Sequence, residues 1–430
     1  MSGIQQMLLF LGKNKNNWIG MLYGAGTQEC HGVISDSANN VYLIGGNTGT
    51  NGLELAKYDS VGQIQFQNSF PSTGGSVTAG TGVAIDSSGN LYGVTTDIAT
   101  STSMLIKYDS SGVVLWQRRI GTSNTAPQGI AVDSSGNAYM LFQDLSTGTS
   151  DMCIVKFNTS GTYQWQRKMG GTGQDYPLSI AVDSSANVFV TGYTNVTAST
   201  YNNIVLAKYN TSGTLQWKNE LTDSTDSSVG RGVATDSSGN IYVTGVSVNP
   251  PYAADIIKVN TSGVIQWQRK LTGNSPTGWG ICLDSSGNVY VVGENNQVSA
   301  TIGIQIVKYN SSGAIQWQRR LYESVVSSSF TYGYSINILS NGNVAVGGRT
   351  NVNSLANDFI FAVLPSDGSK TGTYTVGSRT FVYEPSTLTD AAGILTSITS
   401  SLTASTPTFT TATPTYSTST TTLTSTVTTI

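Results

Sequence analysis

The sequence predicts an all-β chain: a seven-bladed β-propeller closed by an N-terminal strand, followed by a Thr- and Ser-rich C-terminal tail in β or extended conformation. Three phrases recurring in step predict it. Asp-Ser-Ser-Gly-Asn, or a near copy, begins at Asp36, Asp86, Asp133, Asp183, Asp236 and Asp284, and a seventh copy reads Leu339-Ser-Asn-Gly-Asn343. A Lys-Tyr-Asn/Asp type phrase is headed by Lys57, Lys107, Lys156, Lys208, Lys258 and Lys308, and a Trp-Gln-Arg type phrase is centred on Trp116, Trp165, Trp217, Trp267 and Trp317, with Phe66 in its earliest copy. The spacing runs from 47 residues (Asp86 to Asp133) to 55 (Asp284 to Leu339), a period that belongs to propellers or solenoids.

One copy yields four strands. Gly129-Ile130-Ala131-Val132 is a short apolar strand, and Asp133 to Asn137 turns the chain into Ala138-Tyr139-Met140-Leu141. Asp opens such a turn through its side-chain oxygen, and Gly136 takes the left-handed position that follows. Asn39 suits that position in the first copy, because Asn visits the left-handed region, whereas Ala186 in the fourth does not. An Asn ends all seven turns, from Asn40 to Asn343, and is expected to bond the turn backbone. A third strand, Met152 to Phe157, ends in Asn158-Thr-Ser-Gly161, and a fourth runs from Tyr163 to Met169 around Trp165. Four antiparallel strands per copy, with neither face buried by the copy alone, describe propeller blades. The tryptophans are expected between blades.

Only six fourth strands follow a third strand. The seventh is expected at the N-terminus: Trp18 precedes Asp36 by 18 residues, the offset from Trp165 to Asp183. This predicts an arm over 1–15, a propeller over 16–368 whose last blade draws on both ends of the chain, and a tail over 369–430. In the tail, Thr373 to Val376 and Arg379 to Tyr383 read as a hairpin around Gly377-Ser378. From Ala391 to Ile430 there is no charged residue. So uncharged and β-prone a run is expected to serve assembly, adding strands to another subunit.

Composition narrows the function. With 10% charged residues and a net charge of −3, the chain has no electrostatic footprint for nucleic acid or an anionic membrane. No segment approaches the length of a membrane span, and Met1 to Phe10 lacks the features of a signal peptide. Cys30, Cys153 and Cys282 fall at unrelated places in the repeat, so no disulfide framework is expected. His31 is the only histidine, and the turn aspartates lack the spacing of a calcium loop, so no catalytic residue, metal site or cofactor is predicted.

The turns within each copy are nearly constant, while the connections at the opposite strand ends vary: Phe70 to Ala79, Thr95 to Ser103, Thr194 to Asn203, Glu323 to Gly333. Variation on one face of a rigid scaffold is where a binding surface is built. It is sharpest five residues before each turn, where the copies read His31, Thr81, Gln128, Leu178, Arg231, Trp279 and Tyr334, each followed by Gly or Ser. These are expected to ring the mouth of the central channel. Either the position drifts because solvent imposes nothing on it, or it binds a ligand with His31, Gln128, Arg231, Trp279 and Tyr334 as anchors; the residues leave both open.

The Val-Asp-Ser-Ser-Gly-Asn-Val-Tyr-Val-Thr-Gly and Lys-Tyr-Asn-Thr-Ser-Gly phrases resemble the bacterial SBBP beta-propeller repeat, over about residues 16 to 368. That family implies a fold and no single activity. The opening Met-Ser-Gly-Ile-Gln-Gln-Met-Leu-Leu resembles the start of structural proteins of marine tailed phages. The two resemblances imply a non-enzymatic virion component made in the host cytoplasm, a capsid decoration or tail fibre part. Its partners would be other virion proteins, through the tail and the N-terminal arm, and a host-surface glycan or protein. The alternative is a bacterial surface or secreted propeller that binds glycan or protein.

Overall fold

A computed structural model describes residues 8–9, 16–23, 26–47, 52–71, 81–97, 100–121, 124–146, 148–195, 201–222, 225–249, 252–298, 301–324, 329–352, 357–399, 403–405, 411–412, 419–420 and 424–429. The expected N-terminal arm lies outside them except for Leu8–Leu9, as does much of the variable connections. Among these residues every regular element is a strand, and no helix is long and apolar enough to cross a membrane.

Strand pairing corrects the expected blade count. Five sheets stand as separate blades, not seven, and each has five strands rather than four. Twelve further strands form one continuous sheet. The sixth and seventh copies do not separate because their strands are long. Thr301–Tyr309 has 9 residues where its counterpart Asp151–Phe157 has 7, and Ser329–Ile338 has 10. The overrunning ends meet in a parallel bridge between Ile302 and Phe330.

The chain divides into two compact units. One comprises residues 1–80, 282–388 and 416–430, the other 81–281 and 389–415. In the first, Trp18–Tyr23 pairs antiparallel with Asp358–Leu364, the neighbour that the Trp18 offset predicts. Trp18 is fully buried there with Leu22, Val33, Tyr58 and Phe361. The core of the second unit is built from the alternate residues of its strands, such as Tyr139, Leu141, Ile154, Val190 and Val205.

The repeated phrases are hydrogen-bond devices. The Asp36 carboxylate accepts from the Ala38 and Asn40 backbone N–H groups at 3.0 and 2.9 Å, from Asn40 Nδ2 at 2.7 Å and from the Tyr42 hydroxyl at 3.0 Å. The same set recurs around Asp133 and Asp236. The Asn side chain thus serves the Asp carboxylate, not the turn backbone as expected. Each repeat lysine lies over the ring opposite it, at 4.8 Å (Lys107 on Tyr92) to 5.5 Å (Lys208 on Phe189).

The second turn is a latch between copies. Trp165 Nε1 donates to Thr211 O at 3.1 Å, Arg167 Nε donates to Gly213 O, and Lys156 Nζ to Thr211 O at 3.2 Å, all toward the next copy. Trp116 repeats this on Thr159, Trp217 on Thr261 and Trp317 on Ser366, each at 3.0 Å. Gly213 is required twice over. Its φ is +77°, and a Cβ there would stand 2.8 Å from the Trp165 indole. The tryptophans are therefore not simply core: Trp165 is buried, but Trp116, Trp217 and Trp317 are half-buried with their N–H groups engaged.

The tail forms the predicted hairpin, with Val376 opposite Arg379. From the hairpin's second strand onward, the tail adds strands to the chain's own sheets. Arg379–Pro385 pairs with Ile315–Glu323, Thr389–Ala392 with Ile265–Thr272, Thr396–Thr399 with Leu215–Thr222 and Thr403–Ser405 with Tyr163–Gly170. Thr411–Ala412 then pairs with Val114–Ile120, Ser419–Thr420 with Ile64–Pro71 and Thr424–Thr429 with Trp18–Tyr23. The tail is a strap that gives every fourth strand an outer neighbour, taking those of the sixth to first copies in reverse order and then Trp18–Tyr23.

Candidate functional site

In five of the seven copies the variable position is a β-bulge. Cys30 faces Gly45 and Gly32 faces Ile44, so His31 has no cross-strand partner. Gln128, Leu178, Arg231 and Tyr334 are skipped in the same way. Thr81 and Trp279 directly precede strands that begin at Gly82 and Gly280. A bulge leaves one residue out of the ladder and re-aims its side chain, which frees this position from pairing while the flanking residues stay fixed. The Gly-or-Ser rule at the next position has a steric cause. A Cβ at Gly232 would lie 2.9 Å from Trp279 O, while Ser335 and Ser179 accept hydrogen bonds from the backbone N–H groups of Val33 (3.0 Å) and Val233 (3.2 Å).

The expected anchors fall into two clusters, one in each unit, with Gln128 half-buried on its own bulge. In the first unit His31 stacks on Tyr334 (ring centres 5.2 Å apart, planes at 11°). Tyr334 lies 6.2 Å from Tyr332, and Tyr332 lies 6.2 Å from Phe330, so four near-parallel rings run in series. Arg349 faces Tyr332 across the strands and sits 4.7 Å from that ring. It pairs with Glu29, whose other oxygen is 3.2 Å from His31 Nε2; Asn357 Nδ2 also donates to Glu29, at 2.8 Å. Burial would raise the Glu29 carboxyl, but the His31 hydrogen bond and the Arg349 charge outweigh it and hold the group down at about 2. Burial pushes the Tyr334 hydroxyl upward, so that side chain stays neutral.

In the second unit the Arg231 guanidinium stands 3.6 Å from the centre of the Trp279 ring. Tyr176 and Tyr193, cross-strand partners, stack at 4.7 Å. Burial raises the Tyr193 hydroxyl against the opposing charge of Arg231. Both clusters thus combine flat aromatic surface with a guanidinium.

Cys30 and His31, adjacent in sequence, are not brought together. The Cys30 thiol is buried, bonds Gly32 O at 3.5 Å, and is pushed up to about 12 by that burial. Among the described residues no group of three His, Cys, Asp or Glu side chains is placed to hold a metal ion.

Glu29, Tyr332, Arg349, Tyr176 and Tyr193 belong to the clusters and are not singled out by the repeat. A signal for them exists. Glu29, Tyr176 and Tyr332 lie two residues before the bulge, on the same strand face, and their register partners are Gly46, Tyr193 and Arg349. That pair of positions also varies from copy to copy.

Residues 164–197 and 216–249 match the SBBP family, a beta-propeller repeat. No curated protein matches the sequence. Among solved structures the chain is similar to the polysaccharide lyase Uly1, with 10% identity and a TM-score of 0.51 over 79% of this chain and 90% of that one. It is also similar to a protein of unknown function from Dyadobacter fermentans, at 9% identity and TM-score 0.45 over 81% of this chain and 98% of that one. A subtype N11 neuraminidase-like protein of A/flat-faced bat/Peru aligns at 12% identity and TM-score 0.40, over 82% and 94% of the two chains. Identities this low speak to fold alone. The repeat phrases read from the sequence, the matched stretches and the all-β architecture agree, and residues 164–197 and 216–249 carry the SBBP beta-propeller repeat.

Proposed function

We propose that this chain is a non-enzymatic recognition propeller that binds a neutral, polyhydroxylated ligand of the glycan class through the side chains at and beside its variable positions. The observation that carries this reading is the pairing of an aromatic face with a guanidinium at or beside the variable position in each unit: Arg231 on Trp279, and Arg349 beside Tyr332 and Tyr334. Aromatic faces stack on the apolar faces of sugar rings, and a guanidinium supplies directed hydrogen bonds to hydroxyls. The Glu29 charge is spent on Arg349 and His31, so the first cluster offers little net charge to a charged ligand.

The proposed setting is a phage particle, on the strength of the opening nine residues; the alternative is a bacterial surface. Mass spectrometry of purified particles decides between them. Glycan-array and whole-cell binding of the intact chain tests the recognition itself. Selective binding to glycans supports the reading; binding only to protein on glycan-stripped cells moves it to a protein ligand, and no binding to either removes it.

A further inference from the structure

The strap puts an unusual surface at the sheet edges. In the second unit the fourth strands carry charge: Arg118 and Arg119, Arg167 and Lys168, Lys218 and Glu220, Arg269 and Lys270. Charged side chains on an edge strand are a standard guard against pairing with another chain. Here the guarded strands are covered, and the strands outside them are Thr389–Ala392, Thr396–Thr399, Thr403–Ser405 and Thr411–Ala412, whose one charged residue is Asp390. Each is the outermost strand of its sheet among the described residues. Ile394, 63% exposed, lies between two of them.

In the first unit two of the three strap strands, Arg379–Pro385 and Thr424–Thr429 but not Ser419–Thr420, have a further strand on their outer side among the described residues. Leu8–Leu9 pairs in parallel with the outer side of Thr424–Thr429, and Gly372–Val376 pairs with the outer side of Arg379–Pro385. Both added strands come from this chain and are uncharged. A strap edge therefore accepts a further strand.

We infer that the strap edge of the second unit is a self-association surface whose occupant is the same edge of a second copy of this chain. Strands with high β-propensity, a single charge among them and an outermost place in their sheets complement an identical set, which is the condition for an isologous contact. The strands begin at Thr389, Thr396, Thr403 and Thr411, a near-constant step, so two copies offer several short pairings at once. Each is weak alone, and together they add.

The test is sedimentation of the pure full-length chain from low to high micromolar concentration, beside an Ala404→Lys/Ala412→Lys variant and, separately, Ile394→Lys. Dimers or larger species that grow with concentration, weakened about tenfold or more by the lysines at unchanged melting temperature, support the inference. A parent that stays monomeric throughout overturns it, as do variants that associate like the parent. Should the double variant lose its melting transition, Ile394→Lys decides, because an exposed side chain can be changed without touching the fold. Capture of a different protein by a chain that remains monomeric also counts against it.

Discussion

The guanidinium of Arg231 lies 3.6 Å from the centre of the Trp279 ring, and the two residues occupy the same variable position in adjacent copies of one repeat. Arg231 is the residue that a bulge leaves out of its ladder. By skipping Arg231 in the ladder, the strand Ser228–Thr235 holds Gly230 and Gly232 in register while their neighbour is free to differ. A residue that carried pairing duty would be as constant as the turn Asp.

The latch predicts a graded loss of stability. Trp165→Phe keeps most of the packing but abandons the bond to Thr211 O, at a cost of about 1 kcal/mol. Trp165→Ala also opens a cavity and should cost about 3 kcal/mol or more. Urea unfolding curves read both; equal losses for Phe and Ala would mean that the hydrogen bond, not the packing, holds the copies together.

Ala186 occupies the left-handed position of its turn with φ +59°, where four other full copies have Gly. An L-residue with a Cβ is strained there by about 1 to 2 kcal/mol. Ala186→Gly should therefore raise stability by about 1 kcal/mol once the extra freedom of Gly in the unfolded chain is subtracted. A lower melting temperature for this variant would show that the turn has relaxed around Ala.

Acid should weaken the first cluster in a defined window. The Glu29 carboxyl is held at about 2 in the fold, against 4.5 ordinarily, so folding favours its ionised form. The stability it contributes is present in full above 4.5 and is lost as pH falls from there toward 2. Glu29→Gln should unfold with a shallower acid dependence in that window than the parent. Identical acid slopes would mean that Glu29 does not sense the His31 and Arg349 contacts.

The strand Trp18–Tyr23 lies between Asp358–Leu364 and Thr424–Thr429. Deleting residues 1–24 exposes both and removes the fully buried Trp18, so the cooperative melting transition should broaden or vanish. Differential scanning calorimetry checks this; a transition as sharp as the parent's would place closure elsewhere.

Much of the fold was legible because the repeat wrote it several times. The Asp turn, the Asn-Thr-Ser-Gly turn and the N-terminal strand each follow from spacing and turn chemistry that local sequence determines. The blade count was not, because fusion of the last strands depends on how far Thr301–Tyr309 and Ser329–Ile338 overrun, and a Thr-to-Ile run carries no mark of where its ladder stops. The strap escaped for a related reason: backbone pairing of a Thr-rich strand leaves no side-chain pattern to name its partner. At the site, the variable position pointed to His31, Arg231, Trp279 and Tyr334, but Glu29 and Arg349 became visible only through register.

The central claim is that the two clusters bind a ligand rather than merely tolerate variation, and the most direct measurement is binding by the Trp279→Ala/Tyr334→Ala chain. Both residues are half-buried, beside the bulges rather than in the main cores. The account predicts that binding to glycan or host cells falls at least tenfold, about 1.4 kcal/mol, while the melting temperature scarcely moves. Unchanged binding by a folded variant, or loss of the fold itself, would contradict it.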